Sequence, residues 1–368
     1  MSGIQLYPGV DIYELDTPAL LLDLDAFERN VNKMAAFFKD SQVRLRPHSK
    51  TNKCPIIARK QIEAGAIGIC CQKLGEAEVM VQGGIRDILI CTEIVTPLKI
   101  SRLVNLAKHA DLKVVVDDVE NARNLSEASQ SEGIVLDVLI DINMGKNNRC
   151  GIDPGPPVLK LAQELAKFKG VRLRGLQGYE GYLMFVNPFE ERKRECLEIM
   201  GKLMDTKALL EKEGFDIEIV SGGGTGTYMI TGRYPGVNEI QAGSYIVMDS
   251  KYVTVEGVDF ESALSILGTV ISRPSKDRAV LDVGFKSAST DAGPPSFKNA
   301  AGLEYRSGGD ELGRIVIKDP SSPLKAGDKL ELWPSHCDTT INLHDNYYAV
   351  RNGKLEAIWP ISGRGKAA

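Results

Sequence analysis

The sequence has no excess of positive charge: 45 lysines and arginines are set against 49 aspartates and glutamates, a formal charge of −4. A protein that tracks a nucleic-acid backbone needs cations in surplus to neutralise phosphates, so no nucleic-acid partner is expected. Nor is there an apolar run near the roughly 18–20 residues that span a bilayer. The first segment, MSGIQLYPGVDIYELDTP, lacks the basic start and apolar stretch of a secretory signal. No membrane partner is expected, and the expected location is cytoplasmic. Cysteine is sparse and odd in number, with thiols at Cys54, Cys70, Cys71, Cys91, Cys150, Cys196 and Cys337. That is not the dense, even framework of a secreted disulfide scaffold, so these read as reduced thiols. Cys70 and Cys71 lie in the apolar run AIGICC and read as small buried hydrophobes. Internal repeats and low-complexity segments are also lacking.

What remains is an ordinary globular composition, 43% hydrophobic and 26% charged over 368 residues. That length suits two domains, or one large barrel with an appendage. From residue 43 to about 245, short β-branched runs alternate with helical stretches: VRLRP (43–47), IGICC (67–71), DILIC (87–91), KVVVD (113–117), LDVLIDI (136–142), VRLRGLQ (171–177), IEIVS (217–221) and EIQAG (239–243). Eight such units are the number that closes a (β/α)8 TIM-like barrel, although a doubly wound open sheet gives similar alternation. KCPIIARKQIEAGA starts a helix on a proline, and the long helical stretch after Asn187 stops at Gly214. After about residue 250 the pattern becomes strand, turn, strand, with Asn352-Gly353 as a type I′ hairpin signal, so an all-β domain is expected. The division expected is a barrel over 18–250 and a C-terminal β-domain over 251–368, with residues 1–17 packing on the latter. ALLLDL (19–24) is strand-like but need not belong to the barrel, and the Gly/Pro/Ser-rich stretch 287–311 reads as a long loop of the kind that carries function.

Active sites in such barrels form at the C-terminal strand ends. The first run is followed by HSKTNK, with His48, Lys50 and Lys53; the second by Gln72 and Lys73; the fifth by Asn143, Lys146 and Arg149; and the sixth by Tyr179 and Glu180. The seventh delivers SGGGTGT, with Ser221, Gly223, Gly224 and Thr225, and the eighth Gly243, Ser244 and Tyr245. Glycines here let backbone N–H groups approach an anion, and the two adjacent strand ends are where this fold holds phosphates. A lysine desolvated at the barrel mouth can lose its proton and form a Schiff base; Lys50 and Lys53 both qualify on this argument. A phosphate site across the barrel from such a lysine points to pyridoxal phosphate, whose aldehyde and phosphate lie at opposite ring edges. In SHCDTT (335–340), His336 and Asp338 sit two residues apart, so on a strand they would project together as a divalent-metal pair, with Cys337 pointing away. His109 reads simply as a helix C-terminal residue.

These residues carry a resemblance. LDTPALLLDLDAFERNV (15–31), RPHSKTNKCP (46–55), CCQKLGEAE (70–78), NNRCGI (147–152), SGGGTGTY (221–228), QAGSYIVMD (241–249) and SHCDTTINLHD (335–345) resemble the D-threonine aldolase group. That group is related to D-serine dehydratase and alanine racemase, the fold-type III pyridoxal-phosphate enzymes with a (β/α)8 barrel and a β-domain. The resemblance implies that Lys50 carries the cofactor, that Arg149 stands near its phenolic oxygen, and that Tyr179 and Gln72 contact it. It implies that Ser221, Gly223, Gly224, Thr225, Gly243, Ser244 and Tyr245 form the phosphate turns. It makes His336 and Asp338 the ligands of a divalent cation, with the hard His/Asp set suiting manganese or magnesium. Two departures stand out: YEGYLMF has Glu180 and Tyr182 where group members carry histidines nearby, and GDELG has Leu312 where a histidine is expected.

The activity implied is reversible cleavage of a D-3-hydroxy amino acid, D-threonine or an analogue such as D-3-hydroxyaspartate, to glycine and an aldehyde. A dehydratase acting on D-serine or D-threo-3-hydroxyaspartate would use the same parts, and a cofactor-carrying protein without turnover is a third reading that the β-domain with its metal pair counts against. The resemblance further implies a homodimer whose only other partner is a small amino-acid substrate.

Overall fold

Eight of the strands are short and mostly buried, and all but the last are followed by helices, which is what a parallel sheet covered on the outside and filled on the inside requires. The computed structural model describes residues 7–145 and 149–368, so Lys146 and the start of NNRCGI lie outside the described residues. The first strand, β1 (Ala19–Asp23), leads directly into α1 (Leu24–Phe38), whose start is capped by Asp23 accepting from the N–H groups of Asp25 and Ala26. Then follow β2 (Arg44–Leu45), α2 (Pro55–Glu63), β3 (Ile69–Cys71), α3 (Leu74–Gln82), β4 (Asp87–Ile90), α4 (Pro97–Ala107), β5 (Asp111–Val116), α5 (Val119–Ser131), β6 (Leu136–Asp141), α6 (Pro156–Leu165), β7 (Val171–Gly178), α7 (Phe189–Lys212), β8 (Ile219–Gly222), α8 (Tyr228–Thr231) and β9 (Glu239–Ile240). β2 to β9 form one parallel sheet in the order β2-β9-β8-β7-β6-β5-β4-β3. Its ends meet, because Ile67 N–H donates to Leu45 O (2.9 Å), Cys70 N–H to Pro47 O (2.9 Å) and Ser49 N–H to Cys70 O (2.8 Å). All eight runs read from the sequence are barrel strands.

Below the site, the barrel interior is held by charge. Arg46, almost fully buried, donates to Glu239 (2.9 Å) and Asp87 (2.6 Å), and Lys113 donates to Asp87 (3.0 Å). Buried charges persist only when paired and hydrogen-bonded, and this cluster meets that condition.

The β-domain comprises β10 (Leu264–Ser275), β11 (Arg278–Leu281), β12 (Ser296–Phe297), β13 (Leu303–Ser307), β14 (Gly313–Ile317), β15 (Lys329–Trp333), α9 (Cys337–Ile341), β16 (Asn346–Arg351) and β17 (Lys354–Pro360). β1 belongs to this sheet, antiparallel to β10 and parallel to β16, because its apolar residues face partners on both sides. Residues 19–23, inside the segment expected as barrel, therefore hydrogen-bond into the β-domain, and the bridge between Asp11 and Lys354 brings the preceding segment to the same sheet. The stretch 287–311 is not one loop, since β12 and β13 pair with β15 and β14. Asn352 and Gly353 both take positive φ, +51° and +72°, in the β16–β17 hairpin. The β-domain docks on the segment after β2: Tyr347 Oη donates to Asn52 O (2.7 Å), and Gly363 N–H donates to Lys53 O (2.8 Å).

Candidate active site

At the C-terminal end of the barrel lies a cleft. Lys50, Gln72, Arg149, Tyr179, Gly224, Thr225, Gly243 and Ser244 line it, together with His48, Thr51, Gln177, Gln241 and Tyr252. Eight of the eleven cofactor residues named from the sequence thus converge on one space. The other three do not line it. Ser221 is fully buried, and its Oγ donates to Glu239 (2.6 Å) while accepting from Gln241 (2.9 Å). Gly223 directs its N–H to Glu180 (3.1 Å). Tyr245 points its ring into the outer core, where its hydroxyl accepts from Gln61 (2.8 Å).

Geometry separates the two lysines. Lys53 takes φ +50° and its ammonium is paired with the buried Glu76, which also accepts from the N–H groups of Gln72 (2.8 Å) and Lys73 (3.2 Å). Lys50 faces the cleft, with Nζ 3.9 Å from Asp338 Oδ2. Burial works against its charged form, but Tyr179 and the Asp338 carboxylate outweigh it and hold Lys50 above its ordinary value. Burial and the adjacent Lys50 push His48 well below its ordinary value, so this imidazole is neutral. Burial raises Tyr179, whose ring is covered by the Arg149 guanidinium at 5.1 Å.

His336 and Asp338 are not on a strand. His336 is the N-cap of α9 and Asp338 lies in its first turn, because β15 ends at Trp333 and the chain turns into a short helix. Side-chain alternation along a strand therefore does not account for their arrangement. Cys337 does turn away, its thiol donating to Met248 O (2.8 Å). His336 Nδ1 lies 2.6 Å from Asp291 Oδ2, and Asp291 Oδ1 accepts from Ser289 (2.7 Å) and Thr339 (2.9 Å). Burial would raise Asp291, but these hydrogen bonds and the imidazole prevail and lower it to about 2. Asp291 is a site residue that sequence reading missed, hidden in what read as a loop.

Two orphaned atoms test whether a cofactor and a cation fit. Thr51 Oγ1 lies on a fully buried residue lining the cleft, with no protein partner among the described residues. Asp338 Oδ1 is likewise buried and unpartnered. An unmet buried polar group costs about 1–3 kcal/mol, so Thr51 calls for an occupant in the cleft and Asp338 for one beside Lys50. With His336 Nδ1 taken by Asp291, its Nε2 and the free Asp338 oxygen suit a hard divalent cation. No group of three or more His, Cys, Asp or Glu side chains forms a protein-only metal cage among the described residues. Thr51 and the strand-end glutamines Gln177 and Gln241 were in principle findable, since all three sit at or just beyond strand ends.

A closed eight-stranded barrel with a lysine at its mouth, joined to a β-domain that leans over that lysine, defines a class. The chain belongs to the family described as alanine racemase, N-terminal domain, which matches residues 22–251, while residues 263–350 match a putative serine dehydratase domain. Membership implies pyridoxal phosphate, the cofactor of the fold-type III enzymes. More particularly, the chain is similar to D-threonine aldolase of Arthrobacter sp, with 40% identity covering 97% of this chain and 95% of the relative. It is also similar to 3-hydroxy-D-aspartate aldolase of Paracoccus denitrificans (strain Pd 1222), with 39% identity covering 99% and 96%. Among solved structures, D-threonine aldolase from Filomicrobium marinum superposes with a TM-score of 0.96 at 42% identity over 99% of both chains. Two aldolases of D-3-hydroxy amino acids thus share nearly the whole length. No helix is long and apolar enough to cross a membrane among the described residues.

Proposed function

We propose that this protein is a lyase that cleaves D-3-hydroxy amino acids, D-threonine and 3-hydroxy-D-aspartate among them, to glycine and an aldehyde. The reading rests chiefly on the approach of Lys50 Nζ to Asp338 Oδ2, 3.9 Å apart, which sets an amine and a cation-binding carboxylate over the same small volume. Lys50 would hold pyridoxal phosphate covalently, with Gln72, Arg149 and Tyr179 around the ring and Thr51, Thr225 and Ser244 toward the phosphate. His336 and Asp338 would hold a manganese or magnesium ion. Bound there, the conjugated ring provides a sink for the electron pair of the breaking Cα–Cβ bond, and the cation lowers the pKa of the 3-hydroxyl.

The chain's own residues then have separate duties. Arg149, stacked on Tyr179, orients a planar group against the tyrosine ring. Burial of His48, Thr51 and Gln241 behind the cleft keeps water from the rear of the site. The Lys50 amine, once free, can return a proton to the α-carbon as glycine forms. The bond between Asp291 and His336 keeps the proton on Nδ1 and leaves Nε2 with its lone pair. Overall, the hydroxyl proton leaves as the C=O of the aldehyde forms, the Cα–Cβ bond breaks, and its electron pair ends in a new C–H bond of glycine. A homodimer and a cytoplasmic location belong to the same reading, the first supported by the resemblance and the second by the sequence features described above.

The deciding assay incubates the holoenzyme with D-threonine and with 3-hydroxy-D-aspartate, with added manganese or magnesium. Glycine with acetaldehyde or glyoxylate is the expected outcome. Ammonia with a 2-oxo acid would overturn the aldolase reading in favour of a dehydratase.

A further inference from the structure

Glu180 sits one residue beyond Tyr179 and is fully buried, yet it does not line the cleft. Its carboxyl group is turned away, into the glycine-rich segment after β8. Oε2 accepts from the N–H of Gly223 (3.1 Å). Oε1 accepts from the hydroxyls of Thr227 (2.6 Å) and Thr231 (2.5 Å), with the Cys196 thiol at 3.9 Å. Thr227 Oγ1 in turn accepts from the N–H of Gly224 (3.2 Å). The two amides that the glycine pattern suggested for an anion are thus directed at Glu180, one directly and one through a threonine. The cleft-facing part of the loop is what remains, Gly224 and Thr225. Thr225 Oγ1 accepts from Tyr245 N–H (3.1 Å), so the loop also fixes the turn that carries Ser244.

The fit is close on every side. A Cβ at Gly222 would lie 2.1 Å from Gly178 O, one at Gly224 would lie 2.6 Å from Met184 Sδ, and one at Gly226 would lie 2.2 Å from Met184 O. The loop therefore lies directly on the 178–184 segment, and Glu180 is the group from that segment that reaches into its centre. A carboxyl group buried this deeply is tolerated only because all its neighbours donate to it. The same requirement fixes where those donors must be.

We propose that Glu180 is a positioning residue for the cofactor's phosphate: it shapes the 222–227 loop so that Thr225 and the Ser244 turn meet the anion. This rests on the phosphate site proposed above. A positioning role predicts a loss specific to the phosphate, whereas a purely structural role would weaken cofactor binding whether or not a phosphate is present.

The test compares the affinities of pyridoxal 5′-phosphate and of pyridoxal, which lacks the phosphate, for the apoenzyme of wild type, Glu180→Ala, Glu180→Gln and Thr227→Val, with apoenzyme melting recorded for each. In Glu180→Ala the preference for the phosphorylated form should fall by about tenfold or more, the worth of one or two hydrogen bonds to a charged group. Thr227→Val, which removes the bridge between Gly224 and Glu180 together with one hydroxyl donor to Glu180 but keeps the carboxyl group itself, should move the same ratio in the same direction. Glu180→Gln should recover most of it, because an amide oxygen still accepts from Gly223. If wild type prefers the phosphorylated form and Thr227→Val and Glu180→Ala keep that preference, even with lower melting temperatures, the assignment to Glu180 is overturned. A wild type without the preference would overturn the phosphate site itself, and Glu180's role with it.

Discussion

Asp291 Oδ2 and His336 Nδ1 are 2.6 Å apart, although 45 residues separate them in the chain. The carboxylate is held low by its hydrogen bonds, so it accepts, and the imidazole must donate from Nδ1. A loop before β12 thereby decides which nitrogen of a helix-capping histidine is available for coordination.

Asp291→Ala should weaken manganese binding by about 10- to 100-fold, the usual effect of removing the partner that orients a metal-binding histidine. Titration of free manganese by electron paramagnetic resonance reads this directly. Unchanged affinity would remove Asp291 from any part in the cation site.

The two lysines after β2 should behave in opposite ways. Lys50→Ala should abolish the cofactor's visible absorbance, and hydride reduction of wild type followed by peptide mapping should label Lys50 alone. Lys53→Met should keep the absorbance yet lose about 3–5 kcal/mol of stability, because Glu76 is left buried and unpaired. Chemical denaturation of both variants measures the contrast.

Thr51→Val should act with opposite signs on the empty and the loaded protein. Removing an unmet buried hydroxyl should stabilise the apoenzyme by about 1 kcal/mol. Cofactor affinity should fall, because the same hydroxyl then has nothing to offer a ligand. Melting curves with and without pyridoxal phosphate separate the two effects.

Gly243→Ala should weaken cofactor binding, since its Cβ would lie 2.7 Å from His48 O and 3.2 Å from Thr51 Oγ1. Both neighbours belong to the cleft wall, and relief of the clash at an expected cost of about 1–3 kcal/mol must displace one of them. A cofactor titration of the variant, followed by fluorescence, gives the change in affinity.

Acid should weaken the barrel through Asp87. Burial pushes its carboxyl upward, but Arg46 and Lys113 prevail and hold it below the ordinary 3.8. A depressed carboxyl contributes stability that is present above its unfolded pKa and lost as pH falls through its folded value, so melting temperature should drop below about pH 4. In Asp87→Asn that acid-side slope should flatten, and thermal melts at stepped pH test it.

The barrel strands were legible because burial on both faces writes itself as β-branched runs, and the site was legible because those runs end where chemistry gathers. Lys50 could not be told from Lys53 by type or spacing alone, since the distinction lies in Glu76, a partner 23 residues away. His336 and Asp338 were read on the wrong element: spacing by two fits a strand, but the chain has already left β15 and entered α9. Tyr245 and Ser221 lie at the strand ends where the sequence put them, but their side chains face away from the cleft, because an adjacent position along a turn does not fix which way a side chain faces. Glu180 and Asp291 act through partners brought together only by the folded chain.

The position of β1, between β10 and β16, has a consequence for synthesis. As it leaves the ribosome, this strand has neither neighbour: β10 lies more than two hundred residues downstream and β16 more than three hundred. Its apolar side chains and bare backbone edges must wait while the entire barrel is made, the circumstance in which nascent chains stick to one another. A translation product halted after the barrel would keep that strand exposed on both flanks, and its fate would fall to chaperones rather than to its own fold.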